Sequence, residues 1–328
     1  MCFDPADLDA AIAGHQVIRG TLMRVTLHAV LVADYRAFRE AVEPTLRASR
    51  LGDPRFTAVG LTASDADGLI PDLLRYADVP RTDAEMGTWL AERLRAPVTP
   101  AACRMLRQYA PLWHTPVGGP WSFGARQSYV AAGTRPTLAD PDVSATALQT
   151  LVRRYLEGFG PASVPDIAQF ALVQRARAKA AVQALAGQLE QLEGPDGVVL
   201  YDVPGAPRPA EDTPAPPRLM AMWDSILLAY ADRSRVVPSG YRAHVTRING
   251  DVLPTLLVDG FVAGVWRPVE GGIEATAFHR LPGEAWEGLA AEAKALAAFL
   301  ADREPQVYRR YGHWWSKLPG ADTRVLTG

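Results

Sequence analysis

Residues 141–203 read PDVSATALQT LVRRYLEGFG PASVPDIAQF ALVQRARAKA AVQALAGQLE QLEGPDGVVL YDV. Leu148, Leu151, Val152, Tyr155 and Leu156 recur at amphipathic spacing, which predicts a helix over 144–159. Gly158-Phe159-Gly160-Pro161-Ala162 interrupts it, and Ser163 supplies a capping oxygen for a second, short helix carrying Ile167, Ala168 and Phe170. After a break near Leu172, a third helix is expected over 173–189, with Gln174, Arg175, Arg177, Lys179 and Gln183 and no acid before Glu190. Glu193-Gly194-Pro195-Asp196-Gly197 then leads into Val198-Val199-Leu200-Tyr201, the pattern of a tight hairpin. Three helices followed by a hairpin make a winged helix-turn-helix.

Upstream, Asp4-Pro5 sets a cap and a first-turn proline before Leu8, Ala11 and Ile12, so a helix is expected over 5–13, stopped by Gly14. The run Thr21-Leu22-Met23-Arg24-Val25-Thr26-Leu27-His28-Ala29-Val30 alternates as one buried strand, an extended entry into the next helix being the alternative. Asp34 is read as the cap of a helix with Tyr35, Phe38, Val42 and Leu46 on one face. More helices are expected over 72–77, over 83–95, and after Pro100, where Ala102, Met105, Leu106 and Tyr109 face inward. Residues 111–130 then read as two strands around a glycine-rich tip. The fold expected is therefore α+β, with tandem winged helix-turn-helix units: a partial first and a second unit with its hairpin wing over 1–140, and another over 141–203.

Downstream, 204–218 is a stiff proline-rich linker. Residues 219–328 are read as a small β-rich domain with a packed helix. There Asp259-Gly260 joins two apolar runs as a hairpin, a third strand covers 272–279, and 283–303 forms a helix with Leu289, Ala293, Leu296 and Phe299 as its apolar stripe.

With 34 basic and 36 acidic residues among 328, the net charge is −2, so any nucleic-acid surface has to be a local stripe. A hydrophobic content of 48% with 21% charged excludes wholesale disorder, and no apolar run reaches the roughly 20 residues of a membrane span. The N-terminus shows no secretory pattern, and Cys2 and Cys103 are too few for a disulfide framework, so a cytoplasmic address is expected. Arginine outnumbers lysine 31 to 3, a coding bias first and a supply of phosphate-binding forks second.

The third helix of 141–203 is the leading candidate site. Arg175, Arg177 and Lys179 would meet phosphates and Gln174 and Gln183 base edges of double-stranded DNA, the alternative being a solvated or protein-binding face. Gly118, Gly119, Trp121 and Arg126 at the earlier hairpin tip suit minor-groove insertion, or else a packed wing. The run Tyr308-Arg309-Arg310-Tyr311-Gly312-His313-Trp314-Trp315-Ser316-Lys317 reads as a docked terminal segment before a nucleic-acid surface. Asp224, Asp232, Arg233 and Arg235 read as an ion-pair network before a catalytic group. The six histidines show no ligand pair at helical spacing, so neither metal nor cofactor is expected. Gly119-Pro120-Trp121-Ser122-Phe123-Gly124 misses the nucleophile-elbow spacing, and Gly158-Phe159-Gly160 follows a helix where a dinucleotide loop needs a strand. Nothing in the sequence specifies the oligomeric state.

Several segments share a resemblance in the same order. Phe3-Asp4-Pro5-Ala6-Asp7-Leu8, Arg19-Gly20-Thr21-Leu22-Met23-Arg24-Val25-Thr26-Leu27-His28 with Asp34-Tyr35, Arg153-Arg154-Tyr155-Leu156, Ala231-Asp232-Arg233-Ser234-Arg235, and Leu257-Val258-Asp259-Gly260 resemble a bacterial winged-helix DNA-binding family whose members include DNA glycosylases for alkylated and crosslinked bases. The resemblance implies a concave DNA channel, which Arg19, Arg24 and His28 are expected to line, a buried strand with an internally satisfied His28 being the alternative. It also implies a catalytic Gln-apolar-Gln or Gln-apolar-Asp triplet beside an extruded nucleotide. That triplet is expected upstream of residue 1, with roughly the first winged helix lacking, and Gln188-Leu189-Glu190 resembles it only formally. Val25 departs from the family, which usually has Gly there.

Overall fold

The computed structural model describes residues 4–115, 127–301, 303–304, 307–320 and 322–327. The chain divides into two compact units, 1–204 and 205–328.

The first unit opens with α1 (Pro5–Ala13), where Asp4 caps the Ala6 N–H at 2.8 Å, and continues through β1 (Val17–Thr21) and β2 (Leu27–Leu31). The single strand expected over 21–30 is instead parts of these two antiparallel strands, with Val17 opposite Leu31 and Thr21 opposite Leu27. Between them Val25 N–H donates to Leu22 C=O and Thr26 N–H to Met23 C=O, while Arg24 and Val25 take φ of 53° and 60°. A β-branched residue is strained in that left-handed region, where glycine is at ease. With no glycine at either position, the turn is hidden from a reading by residue type.

α2 (Val32–Ala41) and α3 (Glu43–Leu51) follow, broken at Val42. Asp34 does not cap: it lies in the first turn of α2 and pairs with Arg154 Nη2 at 2.9 Å. Next come α4 (Pro54–Thr57), α5 (Ala63–Tyr76), β3 (Arg81–Thr82), α6 (Asp83–Leu94), α7 (Pro100–Tyr109), β4 (Leu112–Thr115) and β5 (Ser128–Ala131). These strands join the first hairpin in one antiparallel sheet ordered β2-β1-β4-β5-β3, with Arg19 opposite His114 at the seam.

α8 (Pro141–Phe159), α9 (Val164–Ala171) and α10 (Arg175–Ala184) are followed by the hairpin β6 (Glu190–Glu193) and β7 (Val199–Asp202). Ser163 and Asp166 cap α9 reciprocally, and Ala162 bridges to Tyr201 on β7. The third helix is shorter than expected. It ends at Ala184 and passes through a 3-10 turn at Ala186–Gln188, since Gly187 interrupts what apolar Leu185 and Leu189 suggest.

One apolar core runs from Ile18 to Leu185 through both halves of this unit. It encloses Arg39, only 1% exposed, whose guanidinium donates to Tyr109 C=O at 2.5 Å and lies 5.3 Å from the Tyr109 ring. Tyr109 OH donates to Glu43 at 2.7 Å, so this buried polar group is held by hydrogen bonds between α2, α3 and α7.

The second unit holds β8 (Arg218–Leu219), α11 (Arg242–Val245), β9 (Thr255–Val258), β10 (Phe261–Val269), β11 (Gly272–Ala277), α12 (Gly283–Ala301) and β12 (Asp322–Leu326). Its antiparallel sheet is ordered β12-β11-β10-β9-β8, and α12 packs Trp286, Leu289 and Ala293 into its core. Asp259 and Gly260 take positive φ at the β9–β10 turn. Trp315, in the 3-10 segment Arg309–Lys317, is buried against Met222, Leu253 and Val265. Ser225–Leu227 form a 3-10 turn capped by Asp224.

Candidate nucleic-acid interface

α10 presents Arg175, Lys179 and Gln183 at four-residue intervals, all exposed, with Gln174 exposed at its N-cap. Next to each of these three lies an exposed small residue, Ala176, Ala180 and Ala184. Arg175 and Lys179 make no ion pair among the described residues, so two cations and two amides stand on an otherwise low-relief helical surface. Arg177 does not belong to it. Its Nη2 donates to Ser144 Oγ at 2.8 Å and to Ala41 C=O at 3.3 Å, tying α10 to α8 and the end of α2. Two residues along a helix is a turn of roughly 200°, so Arg177 points away from Arg175 and Lys179.

The hairpin β1–β2 reaches the approach to this helix. Arg24 Nη1 donates to Phe170 C=O at 3.1 Å, and its guanidinium lies 5.0 Å from the Phe170 ring, on α9 just before the turn into α10. Arg24 Nη2 lies 3.1 Å from His28 Nε2, and His28 Nδ1 lies 3.1 Å from Thr26 C=O. The carbonyl requires the proton on Nδ1, leaving Nε2 to accept from Arg24. Burial, then the Arg24 charge, lowers the His28 pKa to about 4, so the ring is neutral near pH 7. Thr45 Oγ1 donates to Leu172 C=O at 2.9 Å and holds the turn itself, where Leu172 is 45% exposed with φ 54°. Arg24 and His28 thus form one hydrogen-bonded group with the α9 end of the helix pair.

Arg19 lies elsewhere, on β1 beside His114 of β4. There a cavity of about 380 Å³ is lined by Asp83, Arg104, Arg107, Gln108, His114, Gln127 and Tyr129, among others. Arg107 pairs with Asp83 and lies 4.4 Å from the Tyr129 ring, and His114 meets the same ring edge-on at 4.6 Å. Burial, then Arg19 and Arg107, lowers the His114 pKa to about 3. Arg104 and Gln108 are the residues that a residue-by-residue reading of helix 100–111 passes over, because its apolar face draws attention and its other face does not. Trp121 and Arg126, with Gly118 and Gly119, lie outside the described residues.

In the second unit Asp224 and Asp232 accept from the N–H groups of Ile226 and Ser234, and so cap 3-10 turns. Arg233 reaches Thr246 Oγ1 at 3.4 Å and Arg235 lies 4.3 Å from the Tyr230 ring.

The sequence matches the family described as DNA glycosylase AlkZ-like over residues 2–299. The chain belongs to that family. Among solved structures, the AlkZ-like chain is similar in fold to Streptomyces sahachiroi DNA glycosylase AlkZ, with a TM-score of 0.70 and 21% identity, over 90% of this chain and 82% of that one. A search of curated proteins found no match. The family match begins at residue 2, and so gives no support to the expectation of a lacking N-terminal catalytic region. Among the described residues of this AlkZ-like chain, no cluster of three His, Cys, Asp or Glu could hold a metal ion, and no helix is long and apolar enough to cross a membrane.

Proposed function

We propose that this chain binds double-stranded DNA in the repair of alkylated or crosslinked bases, in a reducing cytoplasm, through tandem winged helix-turn-helix units. The unit boundaries proposed are 1–140 and 141–203, followed by the linker 204–218 and the β-rich domain 219–328. The observation that carries the reading is the surface of α10, where Arg175 and Lys179 stand exposed, without an ion pair among the described residues, beside alanines and flanked by Gln174 and Gln183. Small residues let the helix backbone approach a groove closely, the cations meet phosphates, and the amides suit base edges, adenine above all. Arg24 and His28 support the approach side of that helix through Phe170.

The test is fluorescence anisotropy of a labelled duplex at two salt concentrations. Affinity is expected to fall steeply with salt, and Arg175→Ala with Lys179→Ala to lower the log–log salt slope by about 2. Salt-independent binding, or no binding at low salt, sinks the proposal in favour of a protein-binding scaffold.

Family membership favours a second reading, hydrolysis of an N-glycosidic bond. No Gln-apolar-Gln or Gln-apolar-Asp triplet occurs in the sequence, and Gln188-Leu189-Glu190 lies at the turn after α10, so no residue is assigned a catalytic role. Incubating the protein with a duplex carrying an N7-alkylated guanine separates the two: binding without base release is expected, and release would assign the activity.

A further inference from the structure

The first unit repeats one plan twice. In the first copy α5 leads into β3, which pairs with β5, the last strand of the copy; in the second α8 leads to Ala162, which pairs with β7, again the last strand. The second helix of each copy opens on a reciprocal cap, Thr82 with Glu85 and Ser163 with Asp166. Each closes on a residue in the left-handed region, Arg95 at φ 52° and Leu172 at φ 54°. A third helix and a two-stranded hairpin follow in both, α7 with β4–β5 and α10 with β6–β7.

The third helices superpose by position from their N-caps, Thr99 and Gln174. The fourth and seventh residues after the cap are buried in both: Cys103 and Leu106 in α7, Ala178 and Ala181 in α10. The fifth and ninth are Arg104 and Gln108 in α7, Lys179 and Gln183 in α10, a cation followed by an amide one turn on. Arg104 is exposed and, like Lys179, makes no ion pair among the described residues. Gln108 lines the cavity beside it, and its Oε1 is buried with no hydrogen-bond partner among the described residues. A buried amide oxygen without a donor is costly, and a ligand group in the cavity would relieve it after a small rotation of the amide.

We propose that Arg104 and Gln108 form a second contact with duplex DNA, Arg104 on a backbone phosphate and Gln108 on a base edge, equivalent to Lys179 and Gln183. The inference rests on the duplex-binding reading above. Arg107 plays no part in the contact, because its guanidinium is committed to Asp83 and only 9% of the side chain is exposed.

The experiment is duplex anisotropy across a salt series with the full chain and four variants: Arg104→Ala, Arg104→Lys, Lys179→Ala, and Arg104→Ala with Lys179→Ala. Arg104 has no ion-pair partner among the described residues to lose, so its variants should melt with the parent, which circular dichroism checks. Arg104→Ala is expected to weaken binding roughly five- to tenfold at 0.1 M salt and to lower the salt slope by about 1. Arg104→Lys restores the slope, and the double variant adds the two slope changes. Wild-type affinity and slope in Arg104→Ala, with both reduced in Lys179→Ala, overturn this inference and leave the first proposal standing. Absence of duplex binding by the parent overturns both.

Discussion

Arg177 and Lys179 stand two residues apart on α10 and do different work. Arg177→Ala removes hydrogen bonds to Ser144 and Ala41, and is expected to cost about 1–2 kcal/mol in a urea melt while leaving the salt slope of duplex binding unchanged. Lys179→Ala should do the reverse, with stability within about 0.5 kcal/mol of the parent and the slope lowered by about 1. His28 and His114 set a pH dependence. Both have folded pKa values below the ordinary 6.5, at about 4 and about 3, so the unfolded chain takes up their protons first as pH falls. Their contribution to stability is complete above pH 6.5 and is lost as pH falls through 4 and then 3. Urea midpoints measured from pH 7 to pH 3.5 should decline, and His28→Gln should flatten the upper part of that decline. A midpoint independent of pH over this range would refute the neutral assignments of these half-buried rings.

At the level of elements, caps explain why the short helices hold. Ser163→Ala breaks the reciprocal cap of α9 and is expected to lower stability by about 1 kcal/mol, with Thr82→Ala on α6 matching it. α10 differs, because its N-cap Gln174 makes no side-chain cap hydrogen bond. Gln174→Asp should therefore raise stability by about 0.5–1 kcal/mol and yet weaken duplex binding several-fold, since the added carboxylate suits the helix start and repels phosphate. Opposite signs in melt and titration are the result that supports a DNA-facing N-terminus. α8, α9 and the β6–β7 hairpin were legible because their periodicity, cap and turn residues all lie within a few positions of one another. The β1–β2 turn was not, since Arg24 and Val25 carry left-handed φ without a glycine to announce it.

At the level of the whole chain, the two compact units meet in sequence at a proline-rich segment whose Glu211 is exposed. A glutamate-specific protease is expected to cut after Glu211 before any other glutamate, and mass spectrometry of a time course checks this. First cleavage inside 5–204 would argue against that unit's cohesion. The cohesion itself rests on contacts between distant segments: Arg39 with Tyr109, Ser144 with Ala41, Arg24 with Phe170.

By itself the sequence determined what depends on neighbours within a turn or a strand: most helices, the capping serine, the β9–β10 turn, and the cationic character of α10, because propensity, capping and periodicity act over a few residues. Tertiary structure alone decided which cations are available to a partner and which are tied into the fold. Arg177 meets Ser144 and Arg24 meets Phe170 across 33 and 146 positions of chain. Partners at such separations are set by packing, and no local pattern encodes them.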